Sequence, residues 1–329
     1  TGLWILLFYS LIREPGDNRM ATRFKDSVLV RWVKGILGNR KALTGSLLVI
    51  LFVAIALIGP YFTYDPTAFL GTPISPPSFD HWFGTTGQGQ DVLAQTISGA
   101  RQTLLIGFCT GFFVILIGAL IGGISGYYGG RVDDVLSMLI NVFLVMPGLP
   151  LMVILASWLP PGPLTLIGVL VLTGWAWNAR VIRSQMMSYR GRDFVSAAIV
   201  SGERNIRIIL IEIMPRMLSL LASSFIGASI YAIGAQVGLE FLGLGDVSAI
   251  TWGTNLYWAS NDLALLTGSW WTFVPTGLSI ALVSFGLTLI NFGIDEVTNP
   301  RLISERNWRK HLPKSRLNNG ITPVVRNNG

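Results

Sequence analysis

The stretch TLLIGFCTGFFVILIGALIGGISGY, residues 103–127, contains no charged side chain. An α-helix rises about 1.5 Å per residue, so a run of this length crosses the ~30 Å hydrocarbon core of a bilayer. Five further apolar runs lie along the chain, at residues 43–62, 135–158, 164–181, 217–242 and 271–294. The sequence therefore predicts an all-α integral membrane protein with six transmembrane helices.

The composition is that of a membrane protein. Apolar residues make up 51% of the 329 residues and charged residues 12%, against roughly 25% charged in a soluble domain. Cys109 is the only cysteine, which excludes an intrachain disulfide. The two histidines, His81 and His311, are far apart in the sequence and have no neighbouring ligands, so no metal site is predicted.

The basic residues alternate with the predicted spans. They are concentrated in residues 13–41, 180–216 and 295–329, whereas the loops at 63–100, 159–163 and 243–270 contain none. With six spans, 23 of the 24 lie on one side of the membrane, and Arg101 lies at the opposite edge. Lys and Arg remain on the cytoplasmic side, which predicts a cell-membrane protein with both termini in the cytoplasm. Membrane topology thus explains the net charge of +7, which does not indicate a nucleic-acid partner.

Three parts of the chain follow from this pattern. Residues 1–42 form a cytoplasmic N-terminal segment, in which Phe24, Val28, Trp32 and Ile36 predict an amphipathic helix on the membrane interface. Residues 43–294 form the transmembrane domain, with outer loops at 63–100 and 243–270 and a long inner loop at 182–216. Residues 295–329 form a cytoplasmic tail.

Small residues indicate where helices pack. Lipid supplies no hydrophobic drive between helices, so glycines on one face allow a close approach of backbones. The candidates are Gly107, Gly111, Gly118, Gly122 and Gly126 in the second span and Gly234 and Gly238 in the fifth. In the third span, Pro147 and Gly148 predict a kink or break, which membrane proteins tolerate mainly where backbone lines a cavity. This pair is a candidate element of a translocation path.

The long inner loop contains the segment most informative about function. Asp193 is a suitable N-cap, Ala197 and Ala198 favour a helix, and Gly202 can end it before a second helix begins at Glu203. This pattern predicts helix, turn and helix. Small residues on a surface helix indicate a closely fitting partner, although an amphipathic loop resting on lipid headgroups has the same composition.

The same loop resembles the EAA loop of ATP-binding-cassette (ABC) importer permeases, through Ser196-Ala197-Ala198, Gly202 and Met214-Pro215. Other segments resemble the second permease of the oligopeptide and dipeptide import systems. They are HWFGT at 81–85, DVL at 91–93, GAR at 99–101, GYYGG at 126–130, DD at 133–134, FLGLG at 241–245, WG at 252–253 and NPR at 299–301. The resemblance implies the type I permease fold and covers most of residues 60–302.

The resemblance also implies a role for the loop. Its first helix would be a coupling helix seated in a groove of a cytoplasmic ATPase. The implied contact residues are Arg192, Asp193, Phe194, Ser196, Ala197, Ala198, Gly202, Glu203 and Pro215. Ser196 departs from the family pattern, which has glutamate there, so the ion pair of that glutamate is lost or moved to Asp193 or Glu203. Gln90 likewise replaces a common arginine.

The energy source is expected to lie outside this chain. No Gly-x-x-x-x-Gly-Lys-Ser/Thr loop occurs, so the sequence predicts no cofactor and no catalytic residue on this chain. The resemblance implies a second homologous permease subunit, two ATPase subunits that bind ATP and Mg²⁺, and an extracytoplasmic solute-binding protein. The family imports peptides and has relatives that import oligosaccharides, and both substrates stay open. Five outer tryptophans, Trp158, Trp252, Trp258, Trp270 and Trp271, predict an interfacial aromatic belt, although such rings also stack on sugars.

Three other functions compete with this interpretation. A secondary transporter or channel usually has ionisable residues in mid-span, whereas these spans are nearly free of charge. An intramembrane enzyme needs a nucleophile with its base, or a metal cluster, and neither pattern occurs. A receptor or scaffold is opposed only by the family resemblance.

Overall fold

The computed structural model describes residues 39–298, and the predicted N-terminal amphipathic helix lies outside these residues. The longer helices, numbered in chain order, are α1 (Arg40–Ile58), α2 (Val92–Tyr128), α3 (Gly130–Val145), α4 (Gly148–Trp158), α5 (Pro163–Arg190), α6 (Asp193–Val200), α7 (Leu218–Phe241), α8 (Trp252–Asn261) and α9 (Val274–Thr298). Short helical turns connect several of them. The described residues contain no β-strand, only an isolated bridge between Thr85 and Asp91.

Within residues 39–298, five helical segments are long and apolar enough to cross a membrane. They are Arg40–Tyr61, Val92–Tyr128, Pro163–Arg190, Asn205–Phe241 and Trp270–Glu296. A sixth crossing exists if α3 and α4, which meet at a bend of 85°, form one broken span. The architecture is therefore the all-α arrangement that the sequence predicts, with the third span broken near Pro147.

Two helices extend beyond the predicted spans. The second begins at Val92, well before residue 103, because the Asp91 side chain caps it by accepting a hydrogen bond from the Ala94 N–H at 2.8 Å. With 37 residues, α2 is about 55 Å long and exceeds the hydrocarbon thickness. The helix α5, which contains the fourth predicted span, continues to Arg190, so the first part of the inner loop at 182–216 is helical.

The helix α2 lies at the centre of the packing, where its glycines meet two neighbours. A side chain at Gly107 or Gly111 would overlap Ile233 or Ser229 of α7. At Gly118, Gly122 and Gly126 a Cβ atom would meet α5, and at Gly126 it would lie 2.5 Å from the Arg183 carbonyl oxygen. These glycines thus bring three backbones into contact, which yields dispersion energy that lipid contacts do not replace.

The glycines of α7 have a different environment. A Cβ atom at Gly234 or Gly238 would have no neighbouring atom of residues 39–298 within 4 Å. The structure therefore places no helix of the described chain against them. The helix packing that the sequence predicts at these two glycines is therefore not found within residues 39–298.

Candidate functional site

The inner loop forms a short helix held at the end of α5. Its first helical residue is Asp193 and its N-cap is Arg192, so the predicted cap is one residue too late. The Asp193 side chain lies in the first turn, where a carboxylate complements the positive end of the helix dipole. Eight residues, Asp193 to Val200, make up α6.

A Schellman motif ends α6. The Gly202 N–H donates to the Ile199 carbonyl at 3.0 Å, and the Glu203 N–H donates to the Ala198 carbonyl at 3.1 Å. Gly202 has φ +77°, a left-handed conformation that costs L-residues energy because of their Cβ atom. The turn therefore favours glycine at this position.

The inward side of α6 is anchored in an apolar cluster. Val195 is fully buried among Ile182 and Met186 of α5 and Ile208 and Ile213 of the segment that follows. Two further α6 side chains, Phe194 and Ala198, are partly buried against the same cluster. The Arg216 guanidinium carbon lies 3.9 Å from the centre of the Phe194 ring, a cation–π contact. This side of α6 is fixed by the chain itself.

The outward side of α6 is open and unusually apolar. Ser196 and Ala197 are exposed, as are Ile199 and Val200, the latter by 88%. A monomeric surface gains nothing from exposing aliphatic side chains around small residues, whereas a partner that covers them removes apolar area from water. Of the predicted contact residues, Phe194 and Ala198 turn inward in part, and Pro215 lies beyond the turn.

Hydrogen bonds tie this loop to the neighbouring helix ends. The Tyr127 hydroxyl donates to Asn205 Oδ1 at 3.1 Å, and the Tyr189 hydroxyl donates to the Arg216 carbonyl at 3.3 Å. Glu203 forms an ion pair with Arg207 at 3.4 Å, so this carboxylate already has a partner within the chain.

The connection from the loop to α7 is helical throughout but irregular. Residues Ile208–Ile213 form a π-helical segment and Met214–Met217 a 3₁₀ turn, before α7 begins. Pro215 has no N–H and cannot continue a regular ladder of hydrogen bonds, which explains the change of helix type beside it. The sequence indicates Pro215 through the family resemblance but gives no sign of the π-helical segment. The path from Asn205 to Phe241 nevertheless remains one membrane-length element.

The broken span leaves a face of α3 uncovered that is mostly apolar and contains three polar side chains. Pro147 is the N-cap of α4, and the face of α3 before it borders an open cavity of about 670 Å³. The lining residues are Asp134, Ser137, Met138, Asn141, Val142, Val145 and Met146. Polar side chains at membrane depth are costly against lipid and usually face a polar path or protein. The bend at Pro147 and Gly148 thus lies beside this cavity, and its role in translocation stays a prediction.

The polar residues of this face lead to a prediction for Asn141, an exposed amide near the C-terminal end of α3. Its replacement by leucine should lower transport about threefold to tenfold, because one hydrogen bond to a polar substrate contributes about 0.5–1.5 kcal/mol. Uptake into proteoliposomes measures the effect. Val135→Leu, at an exposed α3 position outside the cavity lining, is the control. Equal uptake by both variants would contradict a role of Asn141 in the translocation path.

The outer side contains a buried carboxylate that sequence analysis placed only at an outer helix end. Glu240, in the last turns of α7, is 2% exposed and accepts a hydrogen bond from Thr251 Oγ1 at 2.6 Å. Trp252 beside it is fully buried, so its predicted place in an interfacial belt is wrong. The sequence offered one sign of this buried polar site, namely an acidic residue at the end of an apolar span.

No cluster of three or more His, Cys, Asp or Glu side chains occurs in residues 39–298. His81 instead lies 2.8 Å from Asp91 through Nδ1 and Oδ2, where it supports the N-cap of α2.

Comparison with known proteins agrees with this architecture. Residues 115–304 match the family described as "Binding-protein-dependent transport system inner membrane component". The chain is 30% identical over 304 residues to the oligopeptide transport system permease protein OppC of Bacillus subtilis, with 90% of this chain and 97% of that protein covered. It is 31% identical over 270 residues to the dipeptide transport system permease protein DppC of the same species, with 80% of this chain and 83% of that protein covered.

A third relative comes from another species. The OppC protein of Mycobacterium tuberculosis is 32% identical over 277 residues, which cover 82% of this chain and 93% of the relative. The matched regions include the inner loop, the broken span and α7. The chain therefore belongs to the family of binding-protein-dependent transport system inner membrane components, the transmembrane permease subunits of ATP-binding-cassette importers.

Proposed function

We propose that this chain forms one half of the membrane pathway of an ATP-driven importer of short peptides, and that α6 couples it to a cytoplasmic ATPase. The observation that supports the proposal best is the two-sided character of α6. Its inner side is buried in the chain, while Ile199 and Val200 are exposed on the other side. A helix built in this way transmits a push from a bound partner to the helices beneath it.

The proposed partners are a second permease subunit, two ATPase subunits and an extracytoplasmic solute-binding protein. The open glycines of α7, Gly234 and Gly238, offer a close-packing face to the second permease. ATP and Mg²⁺ would bind to the ATPase subunits, since this chain has no phosphate-binding loop. The segregation of basic residues supports cytoplasmic termini, which places α6 on the side where ATP is available.

Peptides are the proposed substrate class because the relatives are named as oligopeptide and dipeptide permeases. The test is uptake by the complete complex in proteoliposomes, with radiolabelled di- to pentapeptides and, in parallel, malto-oligosaccharides. We expect ATP-dependent accumulation of peptides and none of the sugars. Uptake of the sugars alone would overturn the peptide assignment, and uptake without ATP would overturn the importer itself.

The division of labour gives a further prediction for the isolated subunit. Purified alone in detergent, the chain should hydrolyse ATP no faster than a protein-free blank, because no residue cradles a triphosphate. The complete complex, assayed for phosphate release under the same conditions, is the positive control. Turnover by the isolated chain that persists through repeated purification would contradict the proposal.

A further inference from the structure

Glu240 is the centre of a buried polar cluster between α7 and α8. Its carboxylate accepts hydrogen bonds from Gln236 Nε2 at 3.0 Å and from Thr251 Oγ1 at 2.6 Å, and the backbone of Gly253 packs directly against it. Gln236 and Thr251 are also buried. Thr251 is the N-cap of α8 and Gly253 is its second residue, so the carboxylate of one helix holds the N-terminus of the next.

The carboxylate is satisfied by neutral donors. None of the ion pairs among residues 39–298 includes Glu240. A buried carboxylate is costly unless hydrogen bonds and dipoles stabilise it, and here the N–H and O–H donors of α7 and α8 do so together. The two helices therefore lose an essential interaction if they separate.

Two glycines close around the same side chain. A Cβ atom at Gly253 would overlap Glu240, and one at Gly245 would lie 2.8 Å from Glu240 Cγ. The loop that leaves α7 and the first turn of α8 are thus packed directly on this residue. Glu240 therefore has no room to shift toward either backbone.

The other side of the first turn of α8 is fixed to α2. The Trp252 backbone N–H donates to Thr103 Oγ1 at 3.1 Å, and its indole Nε1–H donates to the Thr96 carbonyl at 2.9 Å. The indole ring also meets Phe52 of α1 edge to face, with centroids 6.1 Å apart. The α8 N-terminus is therefore a junction of the outer parts of α1, α2 and α7.

The helical path that ends at Glu240 begins at the inner loop. From Asn205 to Phe241 it forms one membrane-length element, and Asn205 accepts a hydrogen bond at the loop beside α6. The inner loop and α8 are thus connected through α7, with Glu240 as the outer attachment.

We propose that Glu240 is a positioning residue that makes α8 move together with α7, so that the state of the inner loop is communicated to the outer loop. This inference rests on the proposed function. It assigns a role in transport to a residue placed in neither a nucleotide site nor a substrate site, through the two hydrogen bonds that it accepts.

The test uses the complete complex, with its partner permease, ATPase subunits and solute-binding protein. Spin labels at the exposed residues Ser201, beside α6, and Ser260, in α8, report the distance between the inner loop and the outer helix, with Cys109 replaced by alanine. Distances are measured without nucleotide and after trapping with ATP and vanadate. In the unaltered complex we expect a narrow distribution in both states.

Glu240→Ala should broaden this distribution and lower the ratio of ATPase rates with and without the binding protein about tenfold, since two buried donors lose their acceptor. Glu240→Gln keeps the volume but has one acceptor oxygen, so a smaller loss is expected. Thr251→Val should reproduce the loss and Thr251→Ser should restore it. Asp80→Asn, which removes an exposed outer carboxylate, should match the unaltered complex.

The outcomes separate this inference from the proposed function. Absence of ATP-driven uptake in the unaltered complex would overturn the proposed function. A coupled unaltered complex whose Glu240→Gln and Thr251→Val variants keep both the narrow distribution and the full ATPase ratio would overturn only the role of Glu240. If Glu240→Ala does not assemble, these two milder variants decide.

Discussion

Gly202→Val should reduce ATP-dependent uptake by more than about tenfold while the chain still inserts and assembles. A β-branched residue at φ +77° is strained by roughly 1–2 kcal/mol or more, so the turn after Ile199 and Val200 would open and α6 would lose its fixed end. No atom of residues 39–298 lies within 4 Å of a Cβ atom there, so the effect comes from the backbone. Uptake into proteoliposomes and size-exclusion chromatography measure the two expectations.

Gly202→Asn is the matched control, because asparagine is close to valine in size but tolerates the left-handed conformation. It should keep most of the uptake. Equal losses in both variants would show that bulk at a partner surface, rather than the turn, is critical. Full uptake in both would contradict the assignment of α6 as the coupling helix.

Gly122→Ala should lower the melting temperature of the purified chain, whereas Gly123→Ala should not. The two substitutions add the same methyl group on consecutive residues of α2. At Gly122 it would press on the backbone of Ala179 and Arg183 in α5, and at Gly123 its nearest neighbours are the flexible ends of Met186 and Met214, at 3.6 and 3.7 Å. Backbone atoms cannot move aside, so the helices must separate.

The expected cost at Gly122 is that of overpacking, about 1–3 kcal/mol, which corresponds to a fall of roughly 2–4 °C per kcal/mol. At Gly123 the gain in helix propensity should leave the temperature unchanged or slightly higher. Thermal unfolding in detergent, followed by fluorescence or light scattering, gives both values. Identical behaviour of the two variants would show that α2 and α5 are not in close contact.

The sequence predicted those features that depend on one element at a time. Apolar runs predicted the membrane helices, because burying backbone in lipid requires them, and Pro147 predicted the break in the third span. Gly202 predicted the end of α6 for a comparable local reason, its left-handed backbone. Asp193 was misplaced by one residue because Arg192 supplies the extended backbone of the N-cap without any side-chain hydrogen bond.

The features that required several elements could not be read in this way. Trp252 was assigned to the interface because tryptophan favours it, yet α1, α2 and α7 enclose this ring. Glu240 gives no sign in the sequence of the donors that surround it, since Thr251 and Gly253 reach it only after the chain has folded back. Similarly, only the packed structure shows that the glycines of α2 meet α5 and α7 while Gly234 faces open space.

The length of α2 has a mechanical consequence. The helix α2 is about 55 Å long, so a rigid tilt of 10° about one end would displace the other end by roughly 10 Å. Because the outer end of α2 is joined to Trp252, such a tilt would carry the first turn of α8 with it. The number of residues in α2 thus sets how far the outer surface of the subunit would move for a given tilt of this helix.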